Sequence, residues 1–148
     1  MSSDTSPSEC SLEELISTMQ PTLQGPAMVF VTLPPGTQCP AYVQPIMTFR
    51  EVEGQTLILT AAEAQEAGLP STYVCRMITL NVHASLEAIG FLAAITARLA
   101  KAKLSVNPVS AYYHDHLFVP QDRAQEALNI LREMAATAQQ SLTSSSMA

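Results

Sequence analysis

Two stretches of this chain match each other without a gap. Residues 57–67, LILTAAEAQEA, align onto residues 117–127, LFVPQDRAQEA, sixty positions further on. Each is an apolar strand run leading into a helix start, and both contain Ala-Gln-Glu-Ala. Four identities in Ala- and Glu-rich helices carry little by themselves. The shared order of hairpin, strand and helix around them points to duplication of one small unit. With 148 residues the chain has room for two such units around a common core.

The order of elements narrows the choice. Ser11 and Glu14 stand in capping-box spacing, so SLEELISTM reads as a short helix ending before Pro21. Residues 27–33, AMVFVTL, form a buried strand that stops at Pro34-Pro35-Gly36, and a proline-rich connector follows to Pro45. Residues 46–60 read as a hairpin with Gly54 in its turn. Thr60 and Glu63 open a second short helix, closed by Gly68. A strand over 73–82 and the longest helix, 86–101, come next, with Ser85 as its expected N-cap. LSVNPVSAYY and HLFVP are two strands joined at the histidines, and the last helix spans 121–134, with Ala124, Ala127, Leu128, Leu131 and Met134 on one face.

The second half therefore runs strand, helix, strand, strand, helix, the ferredoxin-like order without its last strand. In that unit the first and third strands are neighbours and the second lies at an edge, where Pro108 costs no ladder bond. The first half repeats strand, strand, strand, helix, but has the loop 34–45 where a crossover helix belongs. The helix 11–19 is the candidate to cover the face this leaves bare. The expected fold class is α+β: ferredoxin-like βαββ units in tandem, antiparallel sheets with helices packed on one face. Residues 11–70 form a degenerate first half and 71–135 a βαββα second half. The polar ends, 1–10 and 136–148, read as disordered tails.

Charge excludes several partners. The net charge is −6 and only 14% of residues are charged, so there is no basic stripe for nucleic acid or for an anionic membrane surface. Cys10, Cys39 and Cys75 are far apart and form no CxxC pair, and no metal or cofactor motif is present. The start, MSSDTSPSEC, has neither a basic nor an apolar signal region, and LEAIGFLAAITARLA contains Glu87 and Arg98 and is too short for a bilayer. A cytoplasmic location is the expectation.

FREVEGQTLIL, VHASLEAIG and YYHDHLFVP, within a span of about 12–134, resemble the small standalone tandem proteins of the ACT superfamily. The resemblance implies a regulatory module that binds a small-molecule effector, possibly an amino acid, where two modules meet. It implies no catalysis of its own.

In a βαββα unit, the end of the first strand and the turn between the second and third share one rim. His83 ends the first strand, and His114, Asp115 and His116 form the turn, so all three histidines are expected to converge there. The strand–helix loop is where ACT-like modules commonly bind effectors. Asn81, His83, Ala84 and Ser85 are its expected polar contacts, and Tyr112 or Tyr113 an aromatic wall. Alternatives stand beside this reading. HxH spacing puts two imidazoles on one strand face, as a metal needs, but a tight turn breaks that alternation. Asp115 capping its own turn, with the histidines bonded to carbonyls, is the plainer account. No nucleophile–base–orienter set marks an enzyme. An interaction protein with a vestigial pocket is the other alternative.

Helix 86–101 is apolar except for a narrow stripe of Glu87, Ala94, Arg98 and Lys101. It is expected to pack on its own sheet and against a second helix, from the first half or from a homodimer partner.

Overall fold

The computed structural model describes residues 11–146, so the expected N-terminal tail and residues 147–148 lie outside the described residues. Helix α1 (Leu12–Thr18) leads into strand β1 (Gln20–Leu33), then β2 (Met47–Arg50), β3 (Gln55–Thr60), helix α2 (Ala61–Glu66) and β4 (Thr72–Asn81). Helix α3 (Phe91–Lys101), β5 (Asn107–Ser110), β6 (Asp115–Pro120), a 3-10 turn (Gln121–Arg123) and helix α4 (Ala124–Ser146) complete the chain. Both capping boxes are in place: Ser11 Oγ accepts from the Glu14 amide and Thr60 Oγ1 from the Glu63 amide.

All six strands join one antiparallel sheet in the order β2-β3-β1-β4-β6-β5. The duplication is written into its registers. Met28 pairs Thr60 and Leu33 pairs Gln55 in the first half; Cys75 pairs Pro120 and Leu80 pairs Asp115 in the second. Met47 pairs Ile58, and Asn107 pairs Phe118. One constant displacement relates the first strands of the halves, and another relates the hairpins. Met28 and Cys75 are equivalent positions, and they face each other across β1 and β4. An approximate twofold axis thus passes between them. Pro108 lies in the edge strand β5, as its missing N–H requires.

Strand β1 begins earlier than the apolar run suggests. Its first part, Gln20–Leu23, pairs only with β4, so the imino nitrogen of Pro21 faces no second ladder. A bulge between Leu23 and Ala27 takes up Gly25 and Pro26, and Arg76 Nε donates to the Gln24 carbonyl there at 2.8 Å.

All four helices pack on one face. Ile78, Leu80, Val82, Leu117 and Val119 of the second half meet Ile95 and Leu99 of α3 and Ala127, Leu128 and Leu131 of α4. Several of these are fully buried, and each such side chain contributes about 1.5–3 kcal/mol. Leu15 and Met19 of α1 join this cluster. Helix α1 therefore covers the helices of the second half, not the bare face of the first. That face is closed by α2 through Ala64 and by the connector itself, whose Val43 is buried against Val31, Leu33, Leu57 and Leu59. On the other sheet face Met28, Ile58, Cys75 and Phe118 are buried beneath Phe30, Met47, Tyr73, Met77 and Val109. Burial pushes the Cys75 thiol up to about 11, so it stays protonated and packs as a small apolar group.

Two expectations need correction. Residues 136–146 are not a disordered tail but the continuation of α4. Ala135 and Ala138 extend its buried stripe, and Gln139 Nε2 donates to the Ser17 carbonyl at 2.7 Å, fixing it to α1. Helix α3 starts at Phe91 and not at residue 86, and its N-cap is Gly90, not Ser85. The Ser85 hydroxyl accepts from the Glu87 amide at 2.9 Å, which holds the backbone in a turn that competes with a helix. At its far end, α3 is closed by Arg123, whose guanidinium donates to the carbonyls of Ala102 and Lys103.

Candidate functional site

Strand pairing builds the rim. Thr79 pairs His116 and Leu80 pairs Asp115, so the end of β4 lies beside the start of β6. The segment 82–90 leaves β4 next to the turn 111–114 that joins β5 to β6. Between them lies a cavity of about 150 Å³, lined by Ala84, Ser85, Phe91, Leu92, His114 and Asp115, with Leu86, Ala88, Ser110 and Ala111 around them.

Three polar features face this space. Helix α3 has no side-chain cap and no acidic residue in its first turn, so the amides of its first turn remain free donors beside the cavity. Asp115 Oδ1 accepts from Ser110 Oγ at 2.5 Å, which leaves its second oxygen available. Nδ1 of His114 is buried and has no hydrogen-bond partner in the protein. A buried ring nitrogen left in that state costs about 1–3 kcal/mol.

The expected residues divide by strand alternation. Ala84, Ser85, His114 and Asp115 line the cavity. His116 points to the opposite sheet face, where it bounds a separate apolar cavity with Met77 and Phe118 and its Nδ1 meets Thr79 Oγ1 at 3.0 Å. Burial lowers the His116 pKa, the nearby His114 lowers it further, and Asp115 opposes both. Asn81 also serves the sheet: its amide donates to the Gln20 carbonyl and to Thr22 Oγ1. His83 is exposed, and Tyr112 and Tyr113 project from the turn, stacked edge to face at 4.9 Å. The expected convergence of three histidines is not realised. Among the described residues, no three His, Cys, Asp or Glu side chains gather closely enough to hold a metal ion. Sequence reasoning missed Phe91 and Leu92, because the helix was expected to begin one turn earlier.

Comparison with known proteins settles the family. ACT-domain models match residues 7–76 and 72–133 in tandem. The chain belongs to the ACT-domain family. ACT domains are regulatory modules that typically bind small molecules such as amino acids. A Vibrio cholerae protein of unknown function, VC0802, described as a possible transport protein, is 45% identical; the match covers 84% of this chain and 96% of that one, with a TM-score of 0.77. Atu0741 from Agrobacterium tumefaciens is 11% identical over 79% of this chain and 89% of its own, with a TM-score of 0.68. The regulatory subunit of aspartate kinase from Thermus flavus is 11% identical over 77% and 95%, with a TM-score of 0.59. These last two show the fold alone. No curated protein matches the chain. Among the described residues, no helix is long and apolar enough to cross a membrane.

Proposed function

We propose that this ACT-domain protein is a regulatory module in the cytoplasm that binds a compact amino-acid-class effector at the rim of its second half and catalyses nothing itself. The observation that carries this reading is one small cavity facing uncapped helix amides, a carboxylate and an unpartnered imidazole nitrogen. The free amides of α3 suit the effector's carboxylate, Asp115 its ammonium, and His114 or Ser85 a polar side-chain group. The cavity is smaller than the roughly 300–1,000 Å³ usual for drug-sized ligands, which favours a compact zwitterion.

His83, Tyr112 and Tyr113 belong to the outer part of this site. Tyr112, Tyr113, Leu86 and Ile89 are 80%, 75%, 68% and 93% exposed around the rim. Exposed apolar side chains grouped in this way mark a surface that is covered in use, and a second copy of the chain is the proposed cover. Asn81 and His116 act from the opposite face by holding β4 in register.

Thermal unfolding with a panel of amino acids and nucleotides tests the reading. A true effector at 100 times its dissociation constant adds roughly 2.7 kcal/mol of stability. Asp115→Asn and His83→Ala are expected to weaken that response without unfolding the protein. If no small molecule raises the melting temperature while the rim captures a protein partner, the effector reading fails in favour of an interaction module.

A further inference from the structure

A second cavity lies in the helical layer. It is a groove of about 560 Å³ with a floor of Leu12 and Ile16 from α1 and Met134 and Ala138 from α4. Its walls carry Glu13, Arg98 and Glu133, one from each of three helices. It shares no lining residue with the rim cavity. The family match ends at residue 133, yet α4 continues to Ser146 and supplies the groove's far wall. That wall is well held, by burial of Ala135 and Ala138 and by the Gln139 bond to α1.

The charges on the walls do not neutralise one another. Arg98 is half-buried, and among the described residues the one ion pair is Arg123 with Glu126. A guanidinium therefore faces the groove without a carboxylate in reach, and two carboxylates face it without a cation. A guanidinium offers a carboxylate two parallel hydrogen bonds. The carboxylates match an ammonium, and the floor matches an apolar body. The volume lies inside the range usual for small-molecule sites.

We propose that this groove is a second binding site, which takes an amphipathic zwitterion of the class of the large apolar α-amino acids. Arg98 holds the carboxylate, Glu13 and Glu133 the ammonium, and the α1–α4 floor the side chain. The proposal stands apart from the rim site and does not depend on it.

The test is titration of L-phenylalanine at millimolar concentration into the full-length ¹⁵N-labelled protein, followed by amide chemical shifts. Saturable shifts at Ile16, Ala138 and Ser141 are expected. Arg98→Gln is expected to weaken them about tenfold, or about 1.4 kcal/mol, with the melting temperature unchanged. Glu133→Gln, an exposed position on the opposite wall, is the companion variant. It is expected to weaken L-phenylalanine but not hydrocinnamate, which lacks the ammonium. Four results overturn the proposal: no shifts in the groove, shifts confined to residues 84–92 and 110–115, equal affinity of wild type and both variants, or shifts that track self-association of the chain in place of added probe.

Discussion

Replacing His114 by methionine separates binding from folding. Nδ1 of His114 is buried without a partner, and such a group costs the native state about 1–3 kcal/mol. Methionine has similar volume and no polar nitrogen to strand. What the variant loses is the edge-on contact of the His114 and His116 rings, whose centroids lie 6.4 Å apart. Contacts of that kind contribute about 0.5–1.5 kcal/mol. The two terms leave a net gain of about 1 kcal/mol, or a rise of about 2–4 °C in melting temperature for a domain of this size. Urea unfolding of the ligand-free protein measures the first number, and a thermal-shift titration with the effector measures binding. Greater stability with weaker binding is the expected pair. A loss of stability of about 1 kcal/mol or more, with binding intact, would show that His114 holds the turn together and that the desolvation argument is wrong.

Other perturbations test the surrounding frame. Gly54 has φ +155°, and a Cβ placed there would lie 2.3 Å from the Leu33 carbonyl oxygen, so Gly54→Ala is expected to cost about 3 kcal/mol in urea unfolding. Gly25, with nothing within 4 Å, is the control and is expected to change stability by less than about 0.5 kcal/mol on the same substitution. Lys103 has φ +60° in the position after the α3 cap, where the Leu104 amide donates back to Leu99; the corresponding residue after α2 is Gly68. Lys103→Gly is expected to stabilise by about 0.5–1 kcal/mol, checked by the denaturation midpoint. His116 has a lowered pKa, so the unfolded chain binds its proton more readily than the folded one. Stability is then lost as pH falls from the unfolded pKa of about 6.5 towards the folded value, and levels off below it. His116→Gln is expected to flatten that part of the stability–pH profile; an unchanged slope would assign it to another group.

Much of the fold was legible because apolar period, capping pairs and turn residues agree. Ser11–Glu14, Thr60–Glu63, Gly54 and Pro108 each mark an element end or an edge. What escaped has physical causes. Alanines at 135 and 138 continue the buried stripe of α4, but a methyl group carries too little hydrophobic signal to stand out among Gln, Ser and Thr. Gly25 and Pro26 look like a break, and become a bulge only because Arg76 satisfies the freed carbonyl from across the sheet. The start of α3 was misjudged because a local hydroxyl bond at Ser85 outcompetes the first helical turn. The site was half legible: topology brought residues 84–85 and 114–115 together. Alternation along β6 then sent His116 through the sheet, which one-dimensional spacing around a turn does not reveal.

The matched registers raise a question of stoichiometry, because a pocket in one half implies a counterpart in the other. The turn 51–54 corresponds to 111–114, and each is closed by the same bond, Glu51 amide to Gly54 carbonyl and Ala111 amide to His114 carbonyl. The last residue differs. Gly54 lies so close to Leu33 that no side chain fits, whereas its counterpart is an imidazole bordering an open cavity. The connector 34–45 completes the asymmetry, because Val43 fills the first half where the second half has free helix amides. Duplication has thus kept the frame twice and the rim site once. A compact effector is expected to bind the rim with one site per chain in isothermal titration. Two equivalent sites per chain would mean that the first half opens on binding, and the argument from Gly54 would fail.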